Sequence, residues 1–236
     1  MEIVVITCDA FQYVVPLCMK YMHGAWTDCG EVTTIVTNTG SHELQQLHAS
    51  GKVHSIVHVG ADQGWSNNMI EYLNISGRLV DNTPFLLLLE DYIVYDINWG
   101  IMNGAINSID NYDDVGMVRL VPIPGPTLPW HDHRGRSSVI GSLDKTTHAS
   151  YCMSLQAAMW RPRTLLEVLE PDLNPWKTEG RGSRRIANGR ICQNTQFLCT
   201  YKNAVSYKNL LRRGKPDEDV LSWLRSRGDA IPRRTG

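Results

Sequence analysis

The chain of 236 residues has no stretch approaching the roughly 18 apolar residues that would span a bilayer, which excludes a helical membrane protein as the expected class. Its opening, "MEIVVITCDA", has no basic stretch before the apolar run, and Asp9 interrupts that run too early for a signal peptide. The six cysteines, at 8, 18, 29, 152, 192 and 199, form no CxxC pair, so reduced thiols are expected rather than disulfides or a zinc ribbon. These absences together point to a soluble, cytoplasmic protein. Internal repeats are missing, as are GxSxG, HExxH and Walker sequences, and no GxGxxG follows the first apolar run, where "TCDAFQY" stands instead.

What is present can fill a sizeable core: hydrophobic residues make up 42% of the chain, enough for one α/β domain. The net charge of −1 conceals an uneven distribution. Residues 1 to 176 hold 9 Lys or Arg against 19 Asp or Glu, and residues 177 to 236 hold 14 against 5. The basic last quarter suits a solvated face, but equally a polyanion or a diphosphate.

Segments 2–8 and 33–38 read as buried strands, 53–59 as an alternating one, and 85–89 and 115–121 as two more. Between them, 13–22 and 97–109 have helical character, and "DQGWSNNMIEYL" (62–73) reads as a helix capped by Ser66. This alternation predicts a mostly parallel sheet flanked by helices, whose ligands sit beyond the carboxyl ends of the strands. Asp9, Asn38, Asp62 and the pair Glu90 and Asp91 stand just past such ends. Any one of them alone is ordinary strand-end polarity. The pair is different, because two charges abutting the run "FLLLL" are costly unless solvated or matched by a ligand.

Residues 122–150 read as a long Pro- and Gly-rich loop, and order resumes at "YCMSLQAAMW" (151–160). "RPRTLLEVLE" reads as a short helix with Pro162 in its first turn, 175–190 as a basic loop, and a strand and a helix around "DEDVLSWLRSRG" close the chain. "HDH" at 131–133, with His148 and Cys152, raises zinc, but the spacing fits no firm zinc pattern, and contact with solvent or substrate is the simpler account.

Four stretches in this order, "ITCDAFQY", "DQGWSNNMIEYL", "LLLLEDYIVYD" and "SLQAAMWRPRTLLEVLEPDLNPWKTEG", resemble the GT-A type glycosyltransferase-like proteins of bacteria and their viruses. The resemblance runs from residue 3 to about 180. It implies a single GT-A-like domain over 1–236, with a mostly parallel, Rossmann-like central sheet. Residues 1–121 would be its nucleotide-sugar-binding half and 122–236 its acceptor-binding half.

By position in the family's pattern, Glu90 and Asp91 match the DxD-like acids that hold Mg²⁺ or Mn²⁺ against the diphosphate of a nucleotide sugar, here expected to be UDP-linked, with Asp91 as the direct ligand. Tyr92 follows where a strict DxD continues differently. Glu179 matches the late "PW--E" position of the base in an inverting transfer, with Trp176 as a sugar platform; the ordinary alternative is a loop glutamate paired with Arg181. Thr7, Asp9, Asp62, Trp65 and Ser66 would lie near the nucleoside, and Gln156 near the donor sugar. For the acceptor, a saccharide and a hydroxymethylated base in viral DNA both stand. The basic segment inclines toward DNA, with Arg184, Arg185, Arg190, Arg212, Arg213 and Lys215 as phosphate contacts. A protein that keeps the fold and binds a nucleotide sugar without turnover is the rival from another class.

Overall fold

The computed structural model describes residues 1–132, 135–145, 151–212 and 214–231. The first half alternates as expected: β1 (Glu2–Ile6), α1 (Val15–Ala25), β2 (Thr33–Thr37), α2 (His42–Ala49), β3 (Ser55–His58), α3 (Trp65–Ile75), the short α4 (Arg78–Asp81) and β4 (Phe85–Leu89). β5 (Tyr92–Ile97), α5 (Trp99–Asn111) and β6 (Val115–Arg119) follow. The second half comprises β7 (Leu128–Asp132), β8 (Gly135–Ser142), β9 (Ala158–Trp160), α6 (Pro162–Val168), α7 (Pro175–Ala187), β10 (Gln196–Thr200), β11 (Val205–Asn209) and α8 (Glu218–Arg225). Nine strands form one sheet in the order β3-β2-β1-β4-β9-β6-β10-β8-β7, in which β8 and β9 run against the others.

Helices cover both faces of the central strands, which is why β1 and β4 are continuous apolar runs rather than alternating ones. Ile3, Val5, Leu86 and Leu88 point to the face packed by α1, α2 and α5, and Val4, Ile6, Phe85 and Leu87 to the face packed by α3, α6 and α7. β5 leaves the main sheet and pairs with β11 in a separate two-stranded ribbon. A third apolar cluster joins that ribbon to α1 and α8.

The structure corrects three expectations. The stretch 175–190 is mostly helix: Asn174 caps it by accepting from the Lys177 amide at 2.9 Å, and Pro175 occupies the first turn. The stretch 122–150 contains the antiparallel hairpin of β7 and β8, which extends the sheet at one edge. Ser66 does not cap α3; Gly64 does, at φ 89°, a left-handed conformation that favours glycine. The helix α2, with Ser41 accepting from the Leu44 amide, stands where no element was expected.

Arg161 joins the sheet to its surroundings. It is 7% exposed, and its guanidinium donates to the carbonyls of Val115 (3.0 Å), Ile109 (2.5 Å), Tyr112 (3.2 Å) and Asn82 (3.4 Å), with Asp113 at 3.3 Å. Replacing it by methionine keeps the apolar stem and strands those buried acceptors. Arg161→Met is expected to cost about 3 kcal/mol, a fall of roughly 10 °C in Tm for a domain of this size, measured by calorimetry. A loss under about 2 °C would show that the surroundings do not depend on the guanidinium.

Candidate functional site

Beyond the carboxyl ends of β1 and β4 lies a cavity of about 490 Å³. Eight of the residues expected at a ligand site line it: Thr7, Asp62, Trp65, Glu90, Asp91, Gln156, Trp176 and Glu179. They come from segments up to 172 positions apart in the chain, so only the fold brings them together.

Each wall has a local cause. Thr7 follows β1 directly. Asp62 accepts from the Gly64 amide (2.9 Å) and from Asn68 Nδ2 (3.0 Å), which fixes the turn that opens α3 and sets Trp65 against the cavity. Glu90 and Asp91 form the turn between β4 and β5. Asp91 fastens the opposite wall: its carbonyl accepts from the Leu210 amide (2.8 Å), and its Oδ2 from the Leu211 amide (3.2 Å). This holds the small hairpin of 211–212 with 215–216, whose Leu211 and Gly214 close that side. Tyr92 stacks on Tyr207 across the β5–β11 ribbon at 4.2 Å between centroids and donates from its hydroxyl to the Leu155 carbonyl (3.4 Å).

On the remaining side, α7 presents Trp176 at its start, 66% exposed, and Glu179 one turn later. Glu179 Oε1 accepts from Ser154 Oγ (2.8 Å) and from the Leu155 amide (2.6 Å). Arg181 is not its partner and instead faces Glu170 at 3.7 Å.

The lining carries four carboxylates, on Asp62, Glu90, Asp91 and Glu179, and no Lys, Arg or His among the described residues. Burial, with Asp91 alongside, pushes the Glu90 carboxyl up to about 8. Burial pushes Asp91 up to about 6, against the opposing effect of the Leu211 amide. Both keep part of their surface on the cavity, where water or a ligand reaches them.

Other expected residues lie elsewhere. Asp9 is taken up by Thr39, accepting from its amide (3.0 Å) and its hydroxyl (2.8 Å), and Ser66 is buried, its Oγ accepting from the Leu173 amide (2.9 Å). Neither lines the cavity; both tie neighbouring segments. Arg184, Arg185 and Arg190 lie on α7 or just past it and do not line the cavity. Arg185 faces Glu170 at 3.3 Å. Arg212 and Lys215 stand exposed on the hairpin beside it, and Arg213 lies outside the described residues. Of the zinc candidates, His133 and His148 lie outside the described residues, Cys152 is buried, and the described residues contain no group of three His, Cys, Asp or Glu placed to hold a metal. All six cysteines are free thiols. Among the described residues no helix is long and apolar enough to cross a membrane.

The sequence reading missed Phe11, Asn68, Leu155, Asn209, Leu211 and Gly214 as lining residues. Asn68 carried a signal, lying three residues past Trp65 on the same helical face. Asn209, Leu211 and Gly214 carried none, because the β5–β11 ribbon that brings them to the cavity is a long-range pairing.

No protein-family model matches the chain, and neither does any curated protein sequence. Among solved structures, it is similar to S. aureus TarS 1–349 in complex with UDP-GlcNAc, with a TM-score of 0.51 and 10% identity over 87% of this chain and 58% of that one. It is also similar to a cytidylyltransferase from Leptospira borgpetersenii (TM-score 0.49, 8% identity, 100% of this chain and 98% of that one). A third is glucosyl-3-phosphoglycerate synthase from Mycobacterium tuberculosis in complex with Mn²⁺, UDP and glucosyl-3-phosphoglycerate (TM-score 0.46, 10% identity, 96% and 75%). The chain spans little more than half of the TarS fragment. At such identities the likeness is one of fold: the protein has a GT-A-like α/β fold with a large mixed, mostly parallel sheet.

The raised carboxyls set a sign for pH dependence. A folded state that binds protons more tightly than the unfolded chain loses stability as pH rises from the ordinary carboxylate range through about 6 and then 8. In the ligand-free protein, Glu90→Gln is expected to raise Tm at pH 8 by ~3 °C or more, the effect of about 1 kcal/mol, and to leave it unchanged at pH 4. Calorimetry at both pH values checks this; an equal change at both would rule out a charge effect.

Proposed function

We propose that the protein is a glycosyltransferase that moves a sugar from a UDP-linked donor to an acceptor hydroxyl, with inversion. One observation carries this reading: a single cavity at the strand ends joins the acid pair Glu90 and Asp91 to Glu179 and the exposed Trp176, with no cation in its described lining. The GT-A-like fold, shared with a UDP-GlcNAc-bound structure, supports it.

The acid pair fits a divalent cation. Mg²⁺ is commonly held by one or two carboxylates with substrate phosphates and water completing its shell, so a third protein ligand is not required. Two carboxyls held up by burial, with no countercharge in the lining, suit a cation chemically. Glu90 and Asp91 would hold it, while Asp91 Oδ2 also keeps the hairpin through the Leu211 amide. When bound, the ion supplies charge neutralisation at the departing diphosphate.

The chain's own residues do the rest. Asp62, Asn68 and Trp65 border the nucleoside end, and Gln156 borders the donor sugar. Trp176 offers the acceptor an apolar face. Glu179, three residues on, takes the proton from the acceptor hydroxyl as the new bond forms.

The acceptor has two readings, and the arrangement of charge favours a saccharide. On a helix, Arg184 and Arg185 lie about 140° and 240° around the axis from Glu179, turned away from the cavity. Among the described residues no Lys or Arg lines the cavity to hold a nucleic-acid backbone beside the base. Arg212 and Lys215, beside the cavity, keep a hydroxymethylated base in DNA as the second reading. A DNA acceptor requires binding that weakens steeply with salt, by roughly −0.9 in log–log slope per phosphate contact, and a shallower slope after Arg212→Glu and Lys215→Glu. We expect no such binding by fluorescence anisotropy; its presence would move DNA to first place.

The activity itself is tested with UDP-GlcNAc and UDP-glucose as donors, following UDP release. Glu179→Gln is expected to lower kcat by about 10²- to 10⁴-fold while donor affinity stays within about twofold, as for a base acting only in the transition state. Asp91→Asn should instead abolish the Mn²⁺ dependence of UDP binding by calorimetry, and its side-chain oxygen can still accept from Leu211. Undiminished UDP release in Glu179→Gln would exclude the assigned base. Binding without any release by the unaltered protein would favour the non-catalytic rival.

A further inference from the structure

We infer that Ser154 is a positioning residue for Glu179, determining which carboxylate oxygen faces the substrate. The inference rests on the reading of Glu179 as the base. Ser154 is 3% exposed, and its hydroxyl lies at a junction: Oγ donates to Glu179 Oε1 at 2.8 Å and accepts from the Gln156 amide at 3.1 Å. The Leu155 amide donates to the same Oε1 at 2.6 Å. Oε1 therefore has two protein donors, whereas Oε2 has none among the described residues. A carboxylate held by one oxygen keeps the other for a ligand and does not swing, and a reacting group held in place is worth one to two orders of magnitude in rate.

The hydroxyl also couples the base to the donor side. Ser154 accepts from Gln156, which lines the cavity next to Leu155, so a single hydroxyl sets both the backbone beside the sugar and the oxygen that takes the proton. One turn further along α7, Ser183 binds the same segment, accepting from the Met153 amide (3.3 Å) and donating to the Met153 carbonyl (3.4 Å). That bond docks the helix without touching Glu179 and provides an internal control.

Four variants test the inference, read by UDP release from UDP-GlcNAc and UDP-glucose. Ser154→Ala is expected to lower kcat roughly 10- to 100-fold with KM for the donor within about twofold, and Ser154→Thr, which retains a hydroxyl, to recover most of the loss. Ser183→Ala is expected to lower Tm while leaving kcat within about twofold. In a Glu179→Gln background, Ser154→Ala should cause no further loss, since its effect passes through the carboxylate. An additive loss in that background, or the same kcat loss in Ser183→Ala as in Ser154→Ala, overturns the inference. Full turnover in Glu179→Gln alone instead overturns the base assignment, so the two failures are separable.

Discussion

The structure depends on how two adjacent carboxylates are accommodated at the end of a strand buried on both faces. β4 places Leu86, Leu87 and Leu88 in the core, and the chain turns at Glu90 and Asp91 to leave the sheet for the β5–β11 ribbon. An ionised group cannot remain among apolar side chains without compensation, so the acids stand where the sheet ends and the cavity begins. Asp91 then serves the fold a second time, because its carbonyl and Oδ2 hold the Leu210 and Leu211 amides and with them one cavity wall. The turn that resolves a burial conflict is thus also the turn that shapes the site.

The opposite wall follows from a different constraint. β9, three residues long, runs antiparallel between β4 and β6, and the segment leading into it must pass close under α7. Gly182 permits that approach, since a Cβ there would lie 2.4 Å from the Met153 sulfur. Glu179, Gly182 and Ser183 face the segment 153–155 together, so the helix that carries the proposed base is fixed to the centre of the sheet. Its site residues therefore stand on rigid elements rather than on a free loop.

Much of this was legible in the sequence where burial dictates composition. β1 and β4 are largely apolar runs because both faces are covered, and the acids at 90 and 91 stood out because charge directly follows such a run. α7 was not legible: Gly180 and Gly182 lower its propensity and the run reads as basic rather than apolar, so its start is marked mainly by the Asn174 cap and its place by docking. The hairpin at 128–142 was hidden by the Pro and Gly around it. Ser66 and Asp9 show the limit of position-based reading, since residues at the right place in the chain are spent on Leu173 and Thr39. Charge counting had the same limit, because it gives the basic quarter a sum but no direction, and on α7 direction separates Arg184 from Glu179.

The site carboxylates divide by what surrounds them. Glu90 accepts no hydrogen bond from another described residue and has Asp91 beside it, so beyond its own amide its ionised form depends on what enters the cavity. Glu179 is supplied with two donors by the protein before any ligand arrives. Environment alone separates groups of the same chemistry into different tasks. The pair without countercharge suits an incoming positive ion, and the carboxylate already held by Ser154 and Leu155 suits proton transfer. In the proposed transfer, Trp176, on the same helix as Glu179 and exposed at its start, would place the acceptor's apolar face against the wall that carries the proposed base. On that proposal the leaving group and the incoming hydroxyl would meet walls built by different parts of the chain, the β4–β5 turn and α7, with the segment leading into β9 packed between them.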